Sequence, residues 1–515
     1  MDEIVNNHEK LAADDIISRM ENDHDIEKEV VSLFLPDTAG SDARAAVKQA
    51  VLGGGEIPTW PEQNYPNLAA ANFDDILAKL ANYKNQLSET DLAPKLVPIY
   101  EAQVDEYIKI NQLMQAAQKY KIATNNDEKS AARESYMRLN GELFGEPDRD
   151  DFNEILGSWL REIKAKNLTG EAAVARDKVL AGLGEIADEA GDTQPYRPKP
   201  ETMAWLQHAA NVIDAPFDKH LPKNNRALST EEAAAYFVRV RGEFRDQESG
   251  RDAAEGWTEV VKPEATGFDM NPQHREERIP GSRPEPIDRE VLRNIANSHE
   301  IGVHILRSLM GEQLNVAPAR TGFAGYYATE EGFGKVMEEA RKGEIGSDNL
   351  SELYHLIVGL NYFHDKKPEK AFDLCAQLMI LKDLPDGASD IPAELKGKDY
   401  DIVLSRTQRI FRGTDDLPLF KDLSYYTGGK KVWQYFDSIV DSPQRDELLV
   451  MAFAGKYDFT GEEQRRLQAL AEQNPQYGTP EPEIDEAGMT EAERLQLRQV
   501  AGKFIVDREM LEKRS

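Results

Sequence analysis

His299-Glu300-Ile301-Gly302-Val303-His304 is the stretch on which the reading of this 515-residue chain turns. Two imidazoles flank a carboxylate on one predicted helix, and Glu330-Glu331-Gly332 follows about one supersecondary unit later. Neutral imidazole nitrogens suit zinc, a downstream carboxylate can supply a third ligand, and Glu300 is placed to take a proton from an activated water. The outline is that of a zinc hydrolase site. The spacing is unusual, because the common HExxH arrangement puts its two His four residues apart on one helix face. Five residues on a regular helix advance the side chain by roughly 500°, leaving the two rings about 140° apart and unable to share an ion. One extra residue must therefore be absorbed locally, as a single-turn π-bulge would do, and Gly302 makes that distortion easy.

The surrounding residues support a buried helix. Asp288 is a fitting N-cap, Val291, Leu292, Ile295, Ala296, Val303, Leu306 and Met310 recur at helical spacing, and Gly311 is the expected stop. His299 continues that apolar row, so the motif points inward. A lone His there reads as a satisfied core residue, whereas two His and a Glu followed by Glu-Glu-Gly are harder to explain as packing.

These residues resemble the microtubule-associated tyrosine carboxypeptidases and their bacterial relatives, the flavohaemoglobin expression-modulating QEGLA-motif proteins. The resemblance is carried by His299 to Arg307, by Ala328-Thr329-Glu330-Glu331-Gly332-Phe333-Gly334, and by Arg409-Ile410-Phe411-Arg412-Gly413 with Phe420-Lys421-Asp422 and Tyr425. It is strongest from about residue 270 to 436, and weaker similarity around Leu143 to Pro147 suggests a family domain starting near residue 71. It implies a zincin-like metallopeptidase with zinc on His299, His304 and Glu331, and with Glu300 as general base. Glu331 is chosen because the motif's Glu directly precedes Gly; Glu330 is the fallback ligand. Glu330 stands for the motif's Gln and Phe333-Gly334 for Leu-Ala, which leaves the metal set intact and puts the neighbouring pocket's shape in question.

The implied reaction is release of a C-terminal tyrosine or other aromatic residue from a peptide or protein by zinc-activated water. Such an enzyme needs a fixed cation for the terminal carboxylate, and Arg suits it because its planar fork donates two parallel hydrogen bonds. Arg406 to Lys431 holds six Lys or Arg against three Asp. Arg409 or Arg412 is the expected carboxylate holder, with Arg307 as the alternative and Lys421 and Tyr425 as further substrate contacts. Tyr326, Tyr327, Tyr425 and Tyr426 are the candidate oxyanion donors. A non-enzymatic regulatory or binding protein on the same scaffold is the alternative, although a pure scaffold has no need of a base beside a metal.

Composition sets the remaining bounds. A formal charge of −31 argues against nucleic acid, whose phosphates need basic contacts. No apolar run approaches the ~20 residues that span a bilayer, and Met1 to Glu9 lacks a basic region before an apolar core, so a cytoplasmic protein is expected. Cys375 is the only cysteine, excluding an internal disulfide or a cysteine zinc cluster, and its apolar surroundings read as core.

The pattern along the chain predicts an α+β class, mainly helical with a small sheet beside the motif helix. Residues 1–70 read as an acidic helical extension and linker with Gly53-Gly54-Gly55. Residues 71–470 form the main domain, with a helical part (71–195) and a metal-site part (196–470), and 471–515 an acidic connection and last helix. Phe73 to Ala190 is helical with breaks near Thr124 to Asp127 and Gly145 to Pro147. After the Gly191 to Pro200 break come helices at Met203 to Ile213 and Ser229 to Arg245. Trp257 to Val261 and Thr266 to Met270 are predicted strands, and helices resume at Glu330, Ser351 and Glu369.

Overall fold

The computed structural model describes residues 60–472 apart from 91, 192, 245–253, 264, 266, 282, 284–285, 313, 315 and 346–349, together with 13–23, 26, 32–34, 36–37, 46–47 and 49–50. The triple glycine and the expected C-terminal connection and helix lie outside these residues.

Short polar side chains start the first helices. Asn72 caps α1 (Phe73–Ser88), while α2 (Val97–Ile122) opens on Pro98 instead. Asn125 caps α3 (Asn126–Phe144) and Asp148 caps α4 (Arg149–Ala165), so the breaks fall where the sequence puts them. After α5 (Gly170–Leu183) the Pro/Gly stretch intervenes, and α6 (Pro200–Asp218) and α7 (Thr230–Arg241) follow. The capping box forms as expected: Ser229 Oγ accepts from Glu232 N at 3.2 Å and the Glu232 carboxylate accepts from Ser229 N at 3.0 Å.

Among the described residues the sheet has three strands, β1 (Thr258–Lys262), β2 (Asp269–Asn271) and β3 (Glu276–Pro280), in the order β1-β3-β2. β3 was not foreseen. Its charged Glu276-Glu277-Arg278 start hides a strand that runs parallel to β1 and antiparallel to β2. β2 is thereby an edge strand, and Met270 packs inward beside the motif helix.

That helix is a π-helix over Leu292–Ile305, continued by α8 (Leu306–Glu312). Then come α9 (Tyr327–Lys342), α10 (Leu350–Tyr362), α11 (Pro368–Asp383), α12 (Ala393–Ile410), α13 (Ser424–Ile439) and α14 (Arg445–Ala452). The architecture is mainly helical with a small sheet, and no helix among the described residues is long and apolar enough to cross a membrane.

Two apolar cores support the site. One joins α2, α6, α7, the π-helix, α9 and α13; the other joins α4, α5, α10, α11 and α12 and encloses Cys375. Ile17, Met20, Phe34 and Leu68, from the expected extension, are buried in the first. α9 is the pivot, packed on α13, the π-helix and α6. It crosses α13 at Gly332 and Gly428, where a Cβ on Gly332 would run into the Gly428 backbone and one on Gly428 into the Ala328 carbonyl. Gly428→Ala should therefore lower the unfolding free energy by about 1–3 kcal/mol, an overpacking effect read from the denaturant midpoint. Wild-type stability in that variant would contradict the tight crossing.

Candidate metal centre

The five-residue spacing is solved by the whole backbone register. A π-helix turns once in about 4.4 residues, so five residues carry the side chain only about 50° past a full turn. The His299 and His304 rings stand with centroids 4.8 Å apart. The widening is longer than the single-turn bulge expected, and the contacts on its far face explain why. Ser298 Oγ donates to Asp214 at 2.5 Å, Asn297 accepts from Tyr236 at 2.6 Å and donates to Asp218 at 3.2 Å, and Arg341 bridges both aspartates. Gly302 is required too, since a Cβ there would lie 2.5 Å from the Asn297 carbonyl oxygen one wide turn earlier.

α9 brings the carboxylates. Ligand atoms of His299, His304 and Glu331 lie within 4.8 Å of one another, a spacing that could hold one metal ion. Each imidazole is oriented by a carboxylate of its own: Glu338 bonds His299 Nδ1 at 2.6 Å and Glu330 bonds His304 Nδ1 at 2.8 Å. A carboxylate on Nδ1 holds a proton there, so the neutral ring presents the lone pair of Nε2, which is the tautomer a metal needs. His299 Nε2 indeed faces Glu331, at 3.7 Å.

Glu330 is thus an orienting group and is turned away from the donor set. It is gripped by Arg307, by Lys456 Nζ at 2.7 Å and by His304. Burial opposes its charge, but these cations hold its pKa far below the usual carboxylate range. Arg307, the alternative substrate cation, is fully buried; it donates to Tyr457 O at 2.7 Å and sits within 6 Å of the Phe333, Tyr457 and Phe459 rings, bracing Glu330. Glu338 was missed by the sequence reading, although it follows Glu331 by seven residues, two helical turns along the same face of α9.

A cavity of about 530 Å³ opens onto the donor set, lined also by Glu300, Tyr326, Tyr327, Arg409, Arg412, Lys421 and Tyr425. Burial pushes Glu300 up to about 8, with the charges of Asp269 and Glu331 adding to the effect and that of His299 opposing it. A carboxyl with proton affinity near neutrality can both accept and return a proton. Burial likewise raises the pKa values of Tyr326, Tyr327 and Tyr425, keeping their hydroxyls as donors. Tyr426 is not at the cavity; its ring packs 5.1 Å from His355.

The basic segment is rearranged by Asp422, which is fully buried. Arg409 donates to it twice, at 2.9 and 2.6 Å, and Arg412 once, at 3.4 Å; burial opposes this carboxylate's charge, but the two guanidiniums hold its pKa down to about 2. Lys421 makes no ion pair with the described residues and lies over the Tyr327 ring at 4.8 Å.

Gly334, in place of the motif's Ala, has a direct role: a Cβ there would lie 2.5 Å from His299 Nε2. No family model matches the chain, and comparison with curated proteins and with solved structures returned no match.

Gly334→Ala should displace the His299 ring and weaken divalent-metal affinity by at least about tenfold, within the range for disturbing a ligand's support. Competition against a chromogenic chelator measures it. Gly429→Ala, with open space at its Cβ, is the control. Equal affinities in the two variants would show that Gly334 does not position His299.

Proposed function

We propose that the chain is a zinc-dependent metallopeptidase of the zincin type, acting as a carboxypeptidase that releases a C-terminal tyrosine or other aromatic residue from a peptide or protein. The observation that carries this reading is the orientation of both imidazoles by Glu338 and Glu330, which directs two Nε2 atoms and Glu331 at one point beside Glu300. Scaffold packing alone has no need of that arrangement.

His299, His304 and Glu331 would hold the ion, two N and one O donor with a position left open. When bound, zinc supplies a Lewis acid for the scissile carbonyl and lowers the pKa of water to about 7. Glu300 takes the proton of the attacking water and later delivers it to the leaving amine. The hydroxyls of Tyr326, Tyr327 and Tyr425 are available to the developing oxyanion. Lys421 meets the terminal carboxylate, since the Arg409 and Arg412 guanidiniums are engaged by Asp422 and act as its positive backing.

The purified chain should carry about one zinc, lost in His304→Ala and in Glu331→Ala and kept in Glu300→Gln. Glu300→Gln should nonetheless lose at least about 100-fold in hydrolysis, because the amide cannot take the proton. Metal analysis beside peptide turnover reads both. Equal zinc in wild type and His304→Ala, or near wild-type turnover in Glu300→Gln, would overturn the assignment.

Carboxylate recognition is tested with a peptide and its C-terminal amide. The free acid should be cleaved with a KM at least about tenfold lower, as loss of a charged hydrogen bond implies, and Lys421→Met should abolish the difference. Equal cleavage of both by wild type would point instead to an endopeptidase.

A further inference from the structure

The cavity wall has a second polar stretch besides the one that carries Lys421. Tyr326 and Tyr327, adjacent at the start of α9, have different neighbours: Tyr327 lies near Tyr425, Asp422 and Arg409, and Tyr326 near Glu330, Glu106 and Tyr107, with Glu331 close to both. One face of α2 lines the cavity there, with Gln103, Glu106, Tyr107 and Ile110 at i, i+3, i+4 and i+7.

The charges on the cavity wall nearly all have partners. Glu330 has Arg307 and Lys456, Glu338 has His299 and Lys335, Asp269 has Arg278, and both arginines have Asp422. Apart from the Glu300 base and the donor set, two charges on the wall remain without an ion pair among the described residues: Lys421 and Glu106. Among the described residues Glu106 accepts a single 3.3 Å bond, from Gly325 N, and burial pushes it up to about 7. Beside it is a second acceptor. Gln103 Nε2 donates to Thr321 Oγ1 at 2.8 Å and faces Glu21, which fixes the amide's orientation and leaves its buried Oε1 with no donor among the described residues. A carboxylate with one long backbone bond and no cation, beside an amide oxygen without a donor among the described residues, matches an ammonium, which offers three N–H groups and a positive charge.

We infer that the α2 face carrying Glu106 and Gln103 binds an ammonium of the substrate on the amino side of the scissile bond, so that the cleft selects peptides with a free carboxylate at one end and a cationic group upstream. This rests on the peptidase reading for the term "scissile", but the binding does not. The ammonium can be a lysine side chain or the α-amine of a short peptide, and the probes separate them.

The test is equilibrium binding to the zinc-loaded Glu300→Gln protein, by calorimetry, of tetrapeptides ending in a free-acid tyrosine. They carry lysine, norleucine or glutamate upstream, each with a free or acetylated amino terminus. An ammonium-bearing peptide should bind at least about tenfold more tightly than its neutral counterpart, as a charged hydrogen bond implies. Adding Glu106→Gln should reduce that ratio to about twofold or less, with zinc content as the control for folding. Sensitivity to acetylation identifies the α-amine; sensitivity to norleucine identifies the side chain. Equal binding of all the peptides, binding of none, or a preference that survives Glu106→Gln overturns the inference. Wild-type turnover of the same peptides keeps the two readings apart. Cleavage without preference leaves the peptidase reading and removes this one; preference in binding without cleavage does the reverse.

Discussion

Two histidines five residues apart can address one point only if the helix beneath them needs more than four residues per turn, and everything around the cleft serves that constraint. A π-helix is poorly populated on its own, so its wider turn over Leu292–Ile305 must be held from outside. The holding groups are polar and buried: Asp214, Asp218 and Arg341 engage Ser298 and Asn297 on the face opposite the imidazoles. A buried ionic network of this kind contributes little net stability against an apolar equivalent, but it specifies which register is formed. Gly302 supplies the room and the network supplies the selection.

The second half of the site depends on α9, which carries Glu330, Glu331 and Glu338 into the interior of a strongly acidic protein. Burying three carboxylates and two imidazoles together is unfavourable unless each finds a partner. The helix meets that requirement by position. Glu330 points to Arg307 and Lys456, Glu338 to His299 and Lys335, and only Glu331 remains aimed at the imidazole Nε2 atoms. Arg307 is itself seated among three aromatic rings, so the orientation of His304 rests on a chain from Phe333, Tyr457 and Phe459 through one guanidinium and one carboxylate. Three glycines allow the close approaches: Gly332 and Gly428 where α9 crosses α13, and Gly334 beneath His299.

Much of this was legible in the order of residues. The helix start at Asp288, the capping box at Ser229 and the breaks after α2 and α3 are local signals, and local chemistry dictates them. The mismatch between a five-residue spacing and an α-helical turn is arithmetic, so a π-type widening could be inferred, though not its length. β3 was hidden because its charged residues carry no apolar alternation; its pairing with β1 and β2 defines it. Arg409 or Arg412 reads as the holder of a substrate carboxylate, because nothing in the sequence tells that Asp422 is buried against both. Glu106, far upstream, had no motif to mark it.

The sequence by itself determined which groups this protein can bring to a metal or a proton: His299, Glu300, His304 and a Glu-Glu-Gly element, together with a helical chain to carry them. Only the tertiary structure decided the division of labour among like residues. Glu330 and Glu331 are adjacent and chemically identical, and roughly 100° of helical rotation separates the one that meets Arg307 and Lys456 from the one that meets the imidazoles. A carboxylate's role is set by the charges and donors around it, and those come from other segments, Arg307 and His304 on the preceding helix and Lys456 from 126 residues downstream, which local sequence does not encode.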